Sequence, residues 1–272
     1  MSKYDLPMDL KIIEQQDYSI VKANEIIQKA RNELPLKQLK ALAFILSKVK
    51  PTDKPGQSYS FTVSDFCKVC EINLSGRNYT NLKNALQALR DRSFWIIDEE
   101  GCEVLMAWIE KPKIDYRTKT IEITLDKDMQ KYVIGWLTQY TQYCLWEVVP
   151  MKSRFSFVLF ELLKSYSWQE ERSFQIDDLK SKIGAKYSNF KDFRIKVLDI
   201  ATREINTYTN LEISWEPIYK GRKVTDVVFR MRKKNEGEVF KRKSKEPSNQ
   251  ITIYDCIDDN ELSRHENMIK IT

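Results

Sequence analysis

One order of elements occurs twice along this chain, and that repeat restricts its fold more than any other feature. Phe61–Phe66 (FTVSDF) aligns with Phe174–Leu179 (FQIDDL). Downstream, with a two-residue difference in loop length, Tyr79, Leu82, Lys83, Leu86, Leu89 and Arg92 fall on Phe190, Phe193, Arg194, Val197, Ile200 and Arg203. The apolar members recur at i, i+3, i+7 and i+10, which is one face of a helix. Apolar helices predicted over Leu36–Val49 and Phe155–Tyr166 open the two copies. Each copy then reads helix, short strand, short helix, loop, helix, β-hairpin. The short strand is expected to pair with the hairpin, so each copy forms a small sheet against three helices.

Local signals place these elements. Ser19–Ala23 alternates as a strand, and Asn24 is predicted to cap a helix over Glu25–Arg31. Pro35 suits a helix start, and Pro51–Gly56 reads as a loop. Ser64 is predicted to cap Asp65–Cys70, ahead of a longer helix over Asn78–Arg92. Strands are expected at Phe94–Asp98, Val104–Glu110 and Thr120–Leu125. A helix to about Leu137 and a Thr/Gln/Tyr stretch follow Asp126. Ser153 is predicted to cap the apolar helix and Asp177 a short one ended by Gly184. A helix over Phe190–Asn206 and strands at Leu211–Tyr219 and Val224–Arg230 complete the second copy.

That order predicts an α+β fold of two tandem winged-helix (helix-turn-helix) domains. The division is residues 1–17 as a flexible N-terminus, 18–126 as the first domain, 127–232 as the second, and 233–272 as a charged linker and tail.

Composition removes many activities. Seven glycines supply neither a G-x-x-x-x-G-K-[S/T] nor a G-x-G-x-x-G cradle. The single histidine, His265, leaves no histidine metal cluster and no Ser-His-Asp set. Cys67-x-x-Cys70 lacks the second ligand pair of a zinc site and reads as structural. Asp98–Glu100 reads as a hairpin turn rather than a nuclease carboxylate set. The longest apolar run, Ala41–Leu46, is far short of a membrane span, and the opening residues lack a signal-peptide core. The expectation is a non-enzymatic cytoplasmic protein with no cofactor, no metal and no membrane partner.

The charge points to nucleic acid. Lys and Arg number 45 against 39 Asp and Glu, and Tyr219–Lys245 alone holds eleven basic and three acidic residues. In a winged helix a short helix braces a longer one whose N-terminal residues enter the major groove. The wing reaches flanking phosphates, where cations release counterions. The first recognition helix offers Arg77, Asn78, Thr80, Asn81 and Lys83. The second offers Lys186, Tyr187, Ser188, Asn189, Lys191, Arg194 and Lys196, with Phe193, Val197 and Ile200 toward the core. The wing turn adds Lys220, Arg222 and Lys223. The plainer reading makes Arg77 and Lys83 solvated helix residues, Tyr187 a packing aromatic, and Lys220–Lys223 an ordinary polar turn.

From about Tyr18 to Arg232 the chain resembles the plasmid replication initiator (Rep) proteins of iteron-containing, theta-replicating plasmids. The residues carrying this are Ile20–Ile27 (IVKANEII), Thr141–Tyr143 with Met151–Ser153 and Leu159–Leu163 (LFELL), and Phe193–Leu198 through Glu204–Asn206. Gly221–Lys223 and Val227–Phe229 complete the set. The resemblance implies binding to directly repeated double-stranded origin DNA, origin opening, and recruitment of a host initiator and the replicative helicase. It also implies a homodimer through the first domain that represses its own promoter, and a bacterial, plasmid-encoded origin. Family members often carry a denser arginine run where Ile195 here separates Arg194 from Lys196. Two other readings use the same residues: a winged-helix repressor without origin activity, and a rolling-circle nicking enzyme, for which one histidine is too few.

Overall fold

The computed structural model describes residues 19–29, 33–50, 52–64, 66, 78–97, 101–133 and 139–235, with backbone alone for 78–82. Strand β1 (Ser19–Ala23) leads into helix α1 (Asn24–Lys29) and, past Pro35, into helix α2 (Leu36–Leu46). Asn24 is the first residue of α1, and its Oδ1 accepts from Thr141 Oγ1 at 2.6 Å. Leu39, Leu42, Ile45 and Leu46 of α2 are fully buried. Strand β2 (Ser58–Thr62) turns Tyr59 and Phe61 inward. Helix α3 (Asn78–Asp91) buries Leu86 and Leu89, the positions its periodicity predicts. Of the short helix expected over Asp65–Cys70 only Phe66 is described, helical and fully buried; its other residues with the Cys67–Cys70 pair, Asp98–Glu100 and the tail from 236 onward lie outside the described residues.

Strands β3 (Phe94–Ile97) and β4 (Glu103–Met106) form a separate hairpin. Strands β5 (Lys113–Asp115) and β6 (Thr120–Thr124) form another, and β6 also pairs with β2, giving the order β2-β6-β5. After a one-turn helix α4 (Lys127–Gln130), the chain makes strand β7 (Tyr140–Cys144). Helix α5 (Arg154–Lys164) begins at the predicted cap: Ser153 Oγ accepts from the Phe155 and Ser156 N–H groups. Strand β8 (Glu171–Gln175), helix α6 (Ile176–Lys182) and a long helix α7 at 190–208 follow. Strands β9 (Leu211–Lys220) and β10 (Lys223–Lys233) close the second sheet in the order β8-β10-β9. The two sheets share one wiring: the strand before the recognition helix pairs with the last strand, and the hairpin's first strand lies at the edge. The sequence repeat is therefore a structural repeat, with β3–β4 as an insertion in the first copy.

Helix α7 departs from the expected periodicity. It is α-helical at Phe190–Phe193, makes a π turn over Arg194–Leu198, and is α-helical again at Asp199–Tyr208. A π turn accommodates one extra residue, so the inward stripe slips by one. Phe193, Val197, Leu198, Ala201 and Ile205 are buried, while Ile200 is only half-buried. The expectation that Ile200 faces the core is corrected on this point.

Strand β7 is the second departure. Tyr140–Cys144, most of it in the Thr/Gln/Tyr stretch read without regular structure, is a strand whose Thr141 and Tyr143 point inward while Tyr140 and Gln142 point out. It pairs antiparallel with β1, from Ser19↔Cys144 to Ala23↔Tyr140. This pairing crosses the 126/127 division read from the sequence. Lys22 of β1 is 2% exposed and forms a buried ion pair with Glu161 of α5, which also accepts the Tyr143 hydroxyl. Burial and the adjacent Glu161 push the Tyr143 phenol well above its ordinary pKa. Two further buried carboxylates satisfy loop amides. Glu147 accepts from the Cys144 and Asn210 N–H groups, and Glu204 from those of Lys152 and Ser153.

Candidate nucleic-acid interface

The start of α7 is built from its cap. Asn189 Oδ1 accepts the Asp192 N–H at 2.8 Å, and Asn189 Nδ2 donates to Asp192 Oδ2 at 2.9 Å. The Asp192 carboxyl is held below its ordinary pKa, first by the Asn189 hydrogen bond and then by Lys196, 3.5 Å away. A negative side chain in the first turn also suits the helix dipole. Asn189, expected from the sequence to contact DNA, thus also has a local task in the helix start. Ser188, Lys191, Arg194 and Lys196 are exposed on this end of the helix. Arg194 lies 3.8 Å from Asp199, five residues on across the π turn, and Lys196 Nζ sits 5.8 Å from the Tyr187 ring. Tyr187 is half-buried, with its ring 6.1 Å from Phe155 and 6.4 Å from Phe193. Lys186 is exposed and pairs with Glu33 at 3.5 Å.

The second wing reaches far from the domain because β9 and β10 are ten and eleven residues long. Its tip is a two-residue turn between the paired Lys220 and Lys223. Gly221 has φ +64° at the first turn position, a conformation that suits glycine and the type II′ hairpin. Lys220, Arg222 and Lys223 are all exposed there, beside the exposed Tyr219 and Ile218. The stalk is braced by ion pairs from Arg230 to Glu216 (2.7 Å) and Glu171 (3.1 Å), and from Arg232 to Glu212. Arg230 holds the Glu216 carboxyl below its ordinary value.

The first domain shows less of its interface. Arg77 lies outside the described residues, and Asn78, Thr80 and Asn81 are placed in the first turns of α3 by backbone alone. Lys83 is exposed, with Nζ 5.8 Å from the ring of Tyr116, in the turn of the β5–β6 hairpin. That contact identifies β5–β6 as the first wing, set beside its recognition helix. The sequence reading singled out none of its cations: Lys113, Arg117 and Lys119 are all exposed. Asp115 Oδ1 accepts the Arg117 and Thr118 N–H groups, which shapes the turn and lowers the Asp115 pKa. Lys119 adopts φ +57° to close it. The signal lay in the repeat, since these residues occupy the wing corresponding to Lys220–Lys223. The intervening β3–β4 hairpin obscured that correspondence.

Cations on two helix starts and two wing tips can neutralise phosphates, and the helix starts can present donors and acceptors to base edges. Among the described residues there is no cluster of three or more His, Cys, Asp or Glu side chains suited to a metal ion. No described helix is long and apolar enough to cross a membrane.

Comparison with known proteins agrees with this architecture. Residues 19–164 match the family model for the WH1 domain of the initiator replication proteins, and residues 175–231 match the model for their WH2 domain. Among solved structures, the Pi initiator protein in complex with iteron DNA superimposes with a TM-score of 0.66 at 19% identity, covering 81% of this chain and 99% of that one. Domains 2 and 3 of RctB, as selenomethionine derivatives, give 0.45 at 11% identity, covering 75% and 84%.

Proposed function

We propose that this chain, which belongs to the initiator replication protein family, starts plasmid replication by gripping directly repeated duplex DNA at its origin. Its two winged-helix domains would read two successive major-groove segments about one turn, ~10 bp, apart. One observation carries the reading: each domain joins a cationic wing to a recognition helix, Lys83 lying against Tyr116 of the wing that carries Arg117 and Lys119 in the first, and Phe190 of the helix that carries Lys191, Arg194 and Lys196 packing on Trp215 of the wing tipped by Lys220, Arg222 and Lys223 in the second. Phosphate contacts from the wings fix register, and the helix starts supply base readout. Distortion of a flexible neighbouring sequence then favours strand opening. The protein acts without catalysis, in the cytoplasm, and delivers the opened origin to a host initiator and helicase. The Pi protein, solved on iteron DNA, supports the choice of repeated DNA as ligand.

Dimerisation through the first domain is part of the proposal. The outer face of β3–β4 presents Trp95 (62% exposed), Ile97 and Leu105, an apolar stripe on a two-stranded sheet that pairs with no further strand among the described residues. A dimer on this face fits promoter repression, leaving monomers to initiate. Binding is tested by titrating the full chain onto a duplex carrying the origin repeats and onto a scrambled duplex, across a range of salt. Strong preference for the repeats and a steep fall with salt are expected; equal binding to both duplexes overturns the reading. Nicking of supercoiled DNA in the presence of a divalent metal overturns the non-catalytic assignment. Trp95→Glu should shift a concentrated sample from dimer toward monomer in sedimentation.

A further inference from the structure

The two recognition helices are connected by a polar bridge that DNA contact itself does not require. Arg154, the first residue of α5, donates from Nε to the Leu34 carbonyl at 3.1 Å, and from Nη1 to the carbonyls of Ile183 (3.1 Å) and Gly184 (3.3 Å). Ile183 and Gly184 form the turn between α6 and the approach to α7, where Gly184 has φ +64°. Leu34 lies in the connection between α1 and α2. Its neighbour Glu33 accepts Arg92 Nη1 on the main-chain carbonyl at 3.0 Å, and Arg92 directly follows α3. The Glu33 carboxylate faces Lys186 on the approach to α7. Lys182, at the end of α6, donates to the Gln28 carbonyl at 2.9 Å. Direct contacts therefore run from the end of the first recognition helix, through Glu33–Leu34 and Arg154, to the turn before the second.

The chemistry suits a spacer. A guanidinium offers five donors in a rigid plane, so one side chain holds three carbonyls from two parts of the chain at fixed angles. Arg154 also stacks over the Phe155 ring at 4.8 Å, and that ring packs on Tyr187. Phe155 and Tyr187 together extend the bridge into the loop that aims α7.

We propose that Arg154 and Arg92, meeting at Glu33–Leu34, are positioning residues that fix the offset between α3 and α7 and so select the spacing of the two DNA segments read. The inference rests on the reading that both helices dock on one duplex. Each base pair inserted between the segments displaces the second by about 3.4 Å and rotates it by about 35°. A rigid bridge cannot follow that movement, whereas a loosened one can. The bridge thus governs discrimination between spacings more than affinity.

The test uses the full chain and a duplex selected from a random-sequence library by the wild-type protein. Footprinting on that duplex locates the two protected segments, and derivatives carry one or two base pairs inserted between them. Wild type should lose on the order of 100-fold in affinity on insertion, the loss of one or two base contacts. Arg154→Met and the surface variant Arg92→Met should lose less than about 5-fold, while keeping wild-type spectra and wild-type unfolding of the second domain. Arg154→Lys should restore part of the discrimination. Unchanged wild-type discrimination in both Met variants overturns the inference, as does a wild-type protein indifferent to the insertions; in either case the DNA-binding reading stands. Failure to select any duplex removes that reading and this inference together.

Discussion

The two winged-helix domains share their wiring and differ in where their length is spent. The first has a short wing, with β5 only three residues long, and an extra hairpin whose outer face is apolar. The second shows no such hairpin among the described residues, and its wing strands are ten and eleven residues long with three cations at the tip. Its recognition helix also carries the π turn. The first copy has therefore gained an apolar surface suited to another protein chain, and the second a charged surface suited to phosphate. A duplicated fold keeps its core and diverges in its hairpins, because hairpin tips contribute little to packing and are free to change.

Four measurements test that contrast. The cores should behave alike. Phe193→Ala should cost about 3–5 kcal/mol and Leu86→Ala about 2–5 kcal/mol in urea unfolding, since both side chains are buried. A Leu86 effect below about 1 kcal/mol would show that α3 is packed differently from α7. The wings should behave unequally. Replacing Lys220, Arg222 and Lys223 together by Ala should lower the slope of log affinity against log salt by about 3, at no cost in stability. The same treatment of Lys113, Arg117 and Lys119 should lower it by about 1 to 2; equal slopes would erase the contrast. Within the helices, Arg194→Ala should weaken repeat binding by on the order of 1–3 kcal/mol and relax specificity, as for a base contact. Lys83→Ala should weaken all duplexes uniformly. The smallest effect concerns the α7 cap. The folded-state pKa of Asp192 is depressed, so its stabilisation is present above the ordinary carboxylate range and is lost as pH falls through the lowered value. Wild type and Asp192→Asn should differ in urea midpoint at pH 6 and converge toward pH 3.

The repeat was legible because periodic apolar residues such as Leu86, Leu89, Phe193 and Val197 report a buried helix face directly. The Ser153 cap and the Gly184 helix end were legible from residue type alone. The π turn was not, since no local preference marks Arg194–Leu198; it shows only in which side chains are buried. Strand β7 was missed because its partner β1 lies more than a hundred residues earlier, and Thr141 and Tyr143 mark an inward face only once that partner is known. The hairpin of the first wing was expected but its cations were missed, because Lys113, Arg117 and Lys119 are dispersed through it, whereas Lys220–Lys223 cluster at one turn. The polar bridge at Arg154 depends on backbone carbonyls, which carry no sequence signature.

The pairing of β1 with β7 has a consequence for synthesis. The opening strand leaves the ribosome without a partner and with Lys22 uncompensated, and Tyr140–Cys144 is translated well over a hundred residues later. At ~5–20 residues per second the wait is on the order of ten seconds. Glu161 follows later still, so the Lys22 ion pair closes only after α5 has emerged. A nascent chain halted near residue 126 would hold an unpaired strand edge, and such edges invite chaperones and aggregation.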